Sequence, residues 1–497
     1  MENATRHNAE IADLKSQVEQ KDQRIQLLEE MVKTLRHKQF GASSEKGSVD
    51  QINLFNEAET ESDEQPDVSD KIVVPTHHRK KQKRVSIPAD IPRELIVHDL
   101  PDNEKICPHD GTELKCIGEE ASEQLDIIPA KITVLRHLRK KYACPCCEQY
   151  VVTAPKPAQP IEKSIAAPGL LAQVAVSKYC DGLPLYRQIS MFKRIGVELD
   201  RGTLANWMIK LGGLVQPLIN RLQEIACEQS VLHMDETPLQ VLNEPDKTAQ
   251  SKSYMWVIAA TQASTHIVLY HYSASRSGET PKHLLADFNG ALMVDGYEGY
   301  SAVCGSNNLS RLGCWAHARR KFIDVQRQQP KAKAGKSDQA LAFIQKLYRY
   351  EQLAKGKTAD ERHAIRQTQS KPEIDKLKKW LEKARGNTPP KTALGKAITY
   401  LHNQWGRLTG YTENGAWPID NNRAENAIRP FVIGRKNWLF ANSQAGAHAS
   451  ANLYSLIETA KANNVEPYEY LKQIFTLLPQ AKSLENIDAL LPQCVKV

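Results

Sequence analysis

The sequence of 497 residues lacks any uninterrupted apolar run long enough to span a membrane, and its start lacks the apolar core of a signal peptide. A membrane helix needs about 20 consecutive apolar residues, and a signal peptide carries an apolar core behind its first charges. The first residues, MENATRHNAEIADLK, are polar instead. These absences predict a protein without a membrane partner that stays in the cytoplasm.

Cysteine is sparse, with ten residues at irregular spacing in a long chain. A large cytoplasmic chain does not usually build a disulfide framework, so burial or metal binding is the expected use. Neither sign of charge dominates, because 66 Lys and Arg oppose 58 Asp and Glu, which leaves a net charge of +8. The content of 41% hydrophobic and 25% charged residues is that of a globular protein, and the length predicts several domains.

Apolar residues near the start recur at alternating spacings of three and four, interrupted only by Lys21. This heptad pattern predicts a coiled-coil helix within residues 1–46. We expect the helix to join copies of the chain into a homo-oligomer; the alternative is an amphipathic helix packed on its own protein. The apolar positions are Ile11, Leu14, Val18, Ile25, Leu28, Val32 and Leu35.

Residues 47–100 have the composition of a linker that is first acidic and then basic. Residues 50–70 hold many acids and no base, whereas residues 77–84 read HHRKKQKR. Lys and Arg near DNA release condensed counterions and raise affinity without reading sequence. The basic run therefore predicts contact with a DNA backbone; the alternative is a solvated tail.

Half of the cysteines lie close together, which indicates a zinc-finger-like domain over residues 101–155. A structural zinc site takes four thiolate or imidazole ligands, usually from two close pairs. Cys144 and Cys147 form one pair, but Asp110 stands where a partner of Cys107 is expected. Either zinc is held by Cys107, Cys144 and Cys147 with a fourth ligand, or the domain folds without metal. The candidates for that fourth ligand are Asp110, His109 and Cys116.

Residues 160–228 carry apolar residues at helical spacing, with a break at Gly196 and a capping residue, Asp200, behind it. Two helices around such a turn can form a helix-turn-helix. In that arrangement Arg201, Thr203 or Asn206 enters a DNA groove. A plain structural helical hairpin is the alternative.

From residue 229 the apolar period changes to that of strands. An antiparallel meander is predicted by three strand-like runs, VLHMDETPLQVL, SYMWVIAAT and HIVLYHYS. They are followed by a helix near Pro281 to Phe288, the strand ALMVD, a short helical link and the strand SRLGCWA. This order is that of a ribonuclease-H-like fold, a mixed sheet with helices on both faces. The chain is thus expected to be multidomain α+β. We assign residues 229–322 and 416–450 to this core, 323–415 to a helical insertion and 451–497 to a C-terminal helical region.

Three acids lie where such a core can use them. Asp235 ends or closely follows the first strand, Asp295 directly follows ALMV, and Glu425 lies in the helical segment WPIDNNRAENAIRP. Neighbouring strands can bring the two Asp carboxylates together, and three converging carboxylates bind hard divalent cations. The alternative is that the strand-end acids and the helix acid simply face water.

Several segments together resemble one family, the insertion sequence 66 transposases. The resemblance covers nearly the whole chain. The segments are QFGASSEK, LPDNEKICPHDG, SEQLDIIPAKITVLRHLRKKYACPCCE, HMDETPLQV, MVDGYEGY, GCWAHARRKF and IDNNRAENAIRPFVIGRKNWLFANSQAGAHASANLYSLIETAKANNVEPYEYL.

The resemblance implies a zinc-finger-like domain, a helical DNA-binding region and a catalytic core of the Asp-Asp-Glu (DDE) type. It assigns catalysis and the binding of Mg²⁺ or Mn²⁺ to Asp235, Asp295 and Glu425. It implies cleavage and strand transfer at the ends of a mobile element, target DNA as a second partner, and accessory proteins encoded by the same element. The chain departs from the family at Asp110 and at RVSIPADIPR, where members more often carry a Gly-Arg-Lys-Pro type motif.

In the implied reaction, two cations about 4 Å apart activate an attacking oxygen and stabilise the departing one. Basic residues close to the acids in sequence are expected to contact the DNA phosphates, an interaction that positions DNA without reading bases. The alternative is ordinary surface salt bridging. These residues are Arg319, Arg320 and Lys321 after the last strand, Arg429 on the helix of Glu425, Arg435 and Lys436 beyond that helix, and Arg201 in the helical region.

Two rival functions fit part of the pattern. A non-catalytic DNA-binding regulator needs only the coiled coil, the zinc domain and the helix-turn-helix, and has no use for three metal-binding acids. A ribonuclease-H-like nuclease uses the same core but cuts DNA without joining it. Strand-transfer products distinguish a transposase from both.

Overall fold

A computed structural model describes residues 132–143, 151–262, 265–328 and 335–495, together with Gln17, Lys21 and Arg24. Apart from those three residues, the predicted coiled coil and linker lie outside the described residues, as do the zinc-ligand candidates Cys107, His109, Asp110, Cys116, Cys144 and Cys147.

The chain divides into two units, residues 61–138 and residues 1–60 with 139–497. Of the first unit the structure describes residues 132–138, which form no helix or strand. The remaining description concerns the second unit. None of the helices in the described parts is both long and apolar enough to cross a membrane.

Within residues 132–143 and 151–230, a small strand pair and four helices precede the main sheet. The predicted break between the second and third helices is confirmed: Gly196 has a φ of +82°, which favours glycine. The predicted cap is confirmed as well, because Asp200 Oδ1 accepts the backbone N–H groups of Gly202 and Thr203 at 2.7 and 3.1 Å. The elements are β1 (Lys141–Ala143), β2 (Val151–Thr153), α1 (Pro168–Tyr179), α2 (Leu185–Arg194), α3 (Arg201–Leu214) and α4 (Gln216–Cys227).

The main sheet has the element order that the sequence predicts. Its long strands β3, β4 and β5 form an antiparallel meander, and β6 and β7 run parallel to β3 in the spatial order β5-β4-β3-β6-β7. A short eighth strand pairs with the far end of β3. The strands are β3 (Val231–Asn243), β4 (Lys252–Gln262), β5 (Thr265–Ser273), β6 (Ala291–Val294), β7 (Ser310–Gly313) and β8 (Ala441–Ser443).

Both faces of β6 are buried, as expected for a strand in the parallel part of a sheet. Leu292 and Val294 belong to the main hydrophobic cluster. Ala291 and Met293 belong to a smaller cluster with Leu312. Two short helices, α5 (Glu279–Leu284) before β6 and α6 (Ser301–Ser306) after it, complete the crossovers.

The expectation that SRLGCWA is all strand is wrong at its end. Strand β7 stops at Gly313, and the helix α7 (Trp315–Gln328) begins two residues later. Tertiary contacts fix this boundary, because the Trp315 backbone N–H bonds Ile419 O at 3.2 Å and its indole donates to Leu408 O at 2.7 Å. A side chain at Gly313 would meet the Leu408 backbone at 3.1 Å, which explains the glycine.

The segment between α7 and Glu425 is helical, as its composition predicts. Its helices and α7 share a second hydrophobic cluster that includes Phe322, Ile344 and Leu377. The helices are α8 (Lys336–Leu353), α9 (Ala359–Ile365), α10 (Lys371–Gly386), α11 (Ala393–Asn403) and α12 (Trp405–Thr409).

A buried arginine fixes this helical segment internally. The Arg366 side chain is fully buried and donates to both carboxylate oxygens of Glu351 at 2.8 and 2.6 Å. Its remaining terminal nitrogen donates to Tyr411 O and Asn414 O at 2.8 and 2.7 Å. The guanidinium therefore joins three parts of the segment through charge-assisted bonds.

The last helices close the core around the sheet. Helix α14 covers the open edge of β5, where Thr459 and Ser455 accept the backbone N–H groups of Val268 and Tyr270 at 3.0 and 2.7 Å. Such an edge would otherwise leave unpaired donors. The helices are α13 (Asn422–Trp438), α14 (Gln444–Ala462), α15 (Pro467–Leu477) and α16 (Leu484–Asp488).

Candidate active site

The three predicted acids come from three elements that meet at one part of the sheet. Asp295 directly follows β6, as expected, but Asp235 lies within β3 and not at its end, because the strand continues to Asn243. These strands are parallel with His233 opposite Met293, so the same register continued by two residues sets Asp235 opposite Asp295. Glu425 lies in the first turn of α13, which packs on β3.

The Asp235 carboxyl group is surrounded by other acids. Burial raises the pKa of Asp235 well above its ordinary value, and the charges of Glu236, Asp295 and Glu425 raise it further. Its Oδ1 accepts the Glu236 backbone N–H at 2.8 Å, and Asp295 Oδ1 likewise accepts that of Tyr297 at 2.8 Å. The arrangement concentrates negative charge and leaves one oxygen of each Asp outside these backbone bonds.

A fourth acid, Glu236, was not singled out from the sequence. Its side chain is only 2% exposed and accepts bonds from Arg276 at 2.5 and 2.8 Å and from the Tyr300 hydroxyl. Burial and the charge of Asp295 raise the pKa of Glu236 to about 7. The only sequence signal was its position beside Asp235 in HMDETP.

Glu425 has an arginine and a histidine of α7 as neighbours. Its side chain is 7% exposed; Oε2 accepts Arg320 Nη2 at 2.9 Å, and Oε1 lies 3.2 Å from His317 Nδ1. Arg320, predicted to contact DNA, thus contacts a candidate catalytic acid. In the described part of the chain, the site's ion pairs go to Glu236 and Glu425, and neither Asp235 nor Asp295 has one.

Asn421 fixes the start of α13 against the sheet. The fully buried side chain donates from Nδ2 to Met234 O at 2.9 Å, and its Oδ1 lies 3.0 Å from His233 Nδ1. Its backbone carbonyl accepts the Glu425 N–H at 3.1 Å. Since Asn421 also bonds one residue before Asp235, it sets the distance between the β3 acid and the helix acid.

The other predicted DNA contacts occupy different environments. Arg319 and Arg429 are half-buried, whereas Lys321, Lys436 and Arg201 are exposed. Lys321 Nζ lies 4.7 Å from the centre of the Tyr400 ring. Contact of these residues with DNA stays a prediction.

Arg435 differs from the position expected for it. It lies inside the last turn of α13, not beyond the helix, and it is only 9% exposed. Its Nη1 donates to Thr237 Oγ1 at 3.0 Å, and burial lowers the pKa of Arg435 to about 10. Thr237 lies two residues after Asp235, on the same face of β3. The Arg435 guanidinium therefore lies behind the acids and not on an exposed surface.

Four family models match this chain. A model described as "Transposase IS66 family" matches residues 163–449, more than half of the sequence. Others match residues 104–148 ("zinc-finger binding domain of transposase IS66"), 455–493 ("IS66 C-terminal element") and 27–96 ("Transposase C of IS166 homeodomain"). The first match, over more than half of the sequence, makes this protein a transposase.

The chain belongs to the IS66 transposase family, as its resemblance predicts. Two similar proteins come from Sinorhizobium fredii. "Uncharacterized protein y4qI" is 35% identical over 503 residues, which cover 97% of this chain and 92% of that protein. "Uncharacterized protein y4jD" is 32% identical, and the match covers 90% of this chain and 88% of that protein. Membership makes DNA the partner and confirms that a zinc-finger domain precedes the core.

Proposed function

We propose that this protein binds the ends of an insertion sequence and catalyses metal-dependent cleavage and strand transfer of DNA. Asp235, Asp295 and Glu425 are its catalytic acids. The observation that carries the proposal is the convergence of these acids from two adjacent parallel strands and one covering helix, with charges that act on one another. Such a group of carboxylates destabilises itself unless cations bind to it.

The strand order supports a ribonuclease-H-like core. Three antiparallel strands are followed by two that lie parallel to the first, on its other side. The acids at Asp235 and Asp295 then lie on the central strand and its parallel neighbour.

The donor set fits Mg²⁺ or Mn²⁺, which prefer carboxylate oxygens. Asp235 and Asp295 each offer the carboxylate oxygen that does not accept a backbone hydrogen bond. Glu425 completes the set of metal ligands. Two bound ions of this kind supply activation of the attacking oxygen and stabilisation of the departing oxygen. Arg320 orients the Glu425 carboxylate from α7, and Arg276 holds Glu236 aside.

The exposed basic residues position the DNA. Lys321 and Lys436 lie near the acids in the chain and contact phosphates next to the scissile bond. Arg201, exposed at the start of α3, belongs to the helix pair that binds the element's end. The N-terminal heptads join subunits, and small proteins encoded by the same element assist.

The test replaces one acid at a time at nearly constant shape. Asp235→Asn, Asp295→Asn and Glu425→Gln should each abolish cleavage and joining of element-end DNA in magnesium, while binding to that DNA remains. The reason is that each change removes one metal-ligating charge. Glu228→Gln, at an exposed position after α4, is the matched control and should keep full activity.

Gel analysis of labelled DNA measures free 3′ ends and strand-transfer products separately. Near-normal strand transfer by any one acid variant removes that residue from the catalytic set. Cleavage without joined products by the unchanged chain would instead assign a nuclease, and binding without either product would assign a regulator.

A further inference from the structure

A second cluster of ligand atoms lies where α7 and α13 begin. Cys314 Sγ, a ring nitrogen of His317 and a carboxylate oxygen of Glu425 all lie within 4.8 Å of one another. We propose that these three residues bind a zinc-type transition metal ion, distinct from the magnesium ions of the acid site. The proposal does not depend on the cleavage reaction, because the fold alone sets the ligands.

Local folding brings these residues together. Cys314 lies between β7 and α7, and His317 follows it by three residues in the first turn of that helix. The opposing segment is tied to this corner, because the Asn421 backbone N–H donates to Cys314 Sγ at 3.2 Å. Glu425 is one helical turn beyond Asn421, so both helix starts point their side chains at one spot.

The distance between a ring nitrogen of His317 and a carboxylate oxygen of Glu425 is that of two ligands of one metal ion. Nδ1 and Oε1 are 3.2 Å apart. Zinc bonds of about 2.0 to 2.2 Å to nitrogen and oxygen in a tetrahedron separate the two ligand atoms by about 3.3 Å. Both atoms are buried, and their geometry gives neither of them a hydrogen-bond partner. Buried polar atoms without partners are rare and call for an unseen group, here a cation.

Two backbone N–H groups point at the cysteine sulfur. Cys314 is fully buried, and its Sγ accepts the backbone N–H groups of Asn421 and His317. Burial and the charge of Glu425 raise the pKa of Cys314 well above its ordinary value, so a cation that binds here must displace the thiol proton. Arg320 on the second oxygen of Glu425 fixes the orientation of that carboxylate, as outer partners of metal ligands do.

The ligand types select the metal. Thiolate and imidazole favour zinc and its cobalt substitute, whereas magnesium takes oxygen ligands. Three protein ligands leave a fourth tetrahedral position for water. Glu425 is then shared between the two sites: its Oε1 lies toward this ion, and it serves the acid site that Asp235 and Asp295 complete when Oε2 leaves Arg320.

The experiment measures metal on the full chain without DNA. Cys314→Ser should lower the zinc content by about one ion per chain relative to the unchanged protein. After exchange with Co²⁺, the same variant should lose part of the thiolate-to-cobalt absorption that the zinc-finger domain also produces. Cys304→Ser, a half-buried cysteine of α6, is the matched control and should change neither reading.

A second variant guards against a folding defect in the first. His317→Cys exchanges one ligand for another, so it should keep the zinc and strengthen the thiolate-to-cobalt absorption. The proposal would be overturned if the unchanged chain, Cys314→Ser and His317→Cys held equal amounts of zinc and gave identical cobalt spectra. Only a His317–Glu425 contact would then remain. Because no strand transfer is measured, this outcome is independent of the test on Asp235 and Asp295.

Discussion

The crowding of acids around Asp235 predicts that the folded protein loses stability as the pH rises from about 4.5 to about 7. The pKa of Glu236 is 4.5 in an exposed chain and about 7 in the folded protein, because of burial and the charge of Asp295. Between these values the folded state binds more protons than the unfolded state. Stability therefore falls as the pH rises through this window and levels off above it.

The magnitude follows from the shift. A pKa raised from 4.5 to about 7 corresponds to about 3 kcal/mol of unfolding free energy, fully lost above pH 7. Solvent screening reduces this little, because the Glu236 side chain is 2% exposed. Asp235 acts in the same direction, since its pKa is also raised by burial and by its acidic neighbours.

Urea unfolding followed by tryptophan fluorescence between pH 5 and pH 8, in magnesium-free buffer, measures the effect. Adding Mg²⁺ should restore stability at pH 8 far more than at pH 5, because the ion binds only the folded, ionised acids. Glu236→Gln should flatten the pH dependence. Stability that is constant or rises from pH 5 to pH 8 would refute the reasoning, as would an unchanged slope in Glu236→Gln.

Glu244, which directly follows β3, provides a control of opposite sign. Burial alone would raise its pKa, but hydrogen bonds from Ser253 and Tyr272 together bring the pKa below its ordinary value. Its contribution is therefore present above the unfolded pKa and is lost as the pH falls. Glu244→Gln should destabilise the protein at pH 8, where Glu236→Gln stabilises it.

Three further predictions follow from single contacts or patterns. Arg366→Met should lower the unfolding free energy in urea by about 3 to 5 kcal/mol, because it removes four charge-assisted hydrogen bonds and leaves Glu351 with only Arg362, at 3.8 Å; a loss below 1 kcal/mol would contradict this. Leu28→Lys with Val32→Lys should reduce the sedimenting mass if the heptads join subunits, and an unchanged oligomer would count against that role. Lys436→Ala should flatten the slope of log affinity against log salt for element-end DNA by about one unit, whereas an unchanged slope returns Lys436 to the ordinary surface.

The sequence pattern predicted the sheet and two of the acids because both depend on local periods. Alternating and continuous apolar runs mark β3 to β6 whatever surrounds them, and Asp295 is placed by the end of ALMV. Parallel neighbours then bring Asp235 and Asp295 together, since the register of such strands is fixed by their buried faces. Helix α13 was predicted for the same reason, from the helical pattern around Glu425, although its N-cap residue is Asn421 and not Asp420 as the pattern suggests.

Side-chain partners across elements could not be predicted in this way. The basic run HARRKF looked uniform, but in the structure Arg320 contacts Glu425 while Lys321 lies over the Tyr400 ring. Arg435 is buried because α13 continues to Trp438 and turns that position toward β3. No local pattern distinguishes a basic residue that faces a carboxylate from one that faces solvent.

Glu425 and Asp235, at the two ends of the acid site, have different neighbours and therefore bind a cation differently. Glu425 already has Arg320 and His317 beside it, at the start of a helix whose N–H groups favour negative charge. The charges that act on Asp235 are those of Glu236, Asp295 and Glu425, so burial and repulsion keep its proton bound to a higher pH. A metal ion that binds between the strands must therefore displace that proton. Magnesium affinity should consequently rise with pH over the range in which the metal-free fold loses stability, since both effects come from the same carboxyl groups.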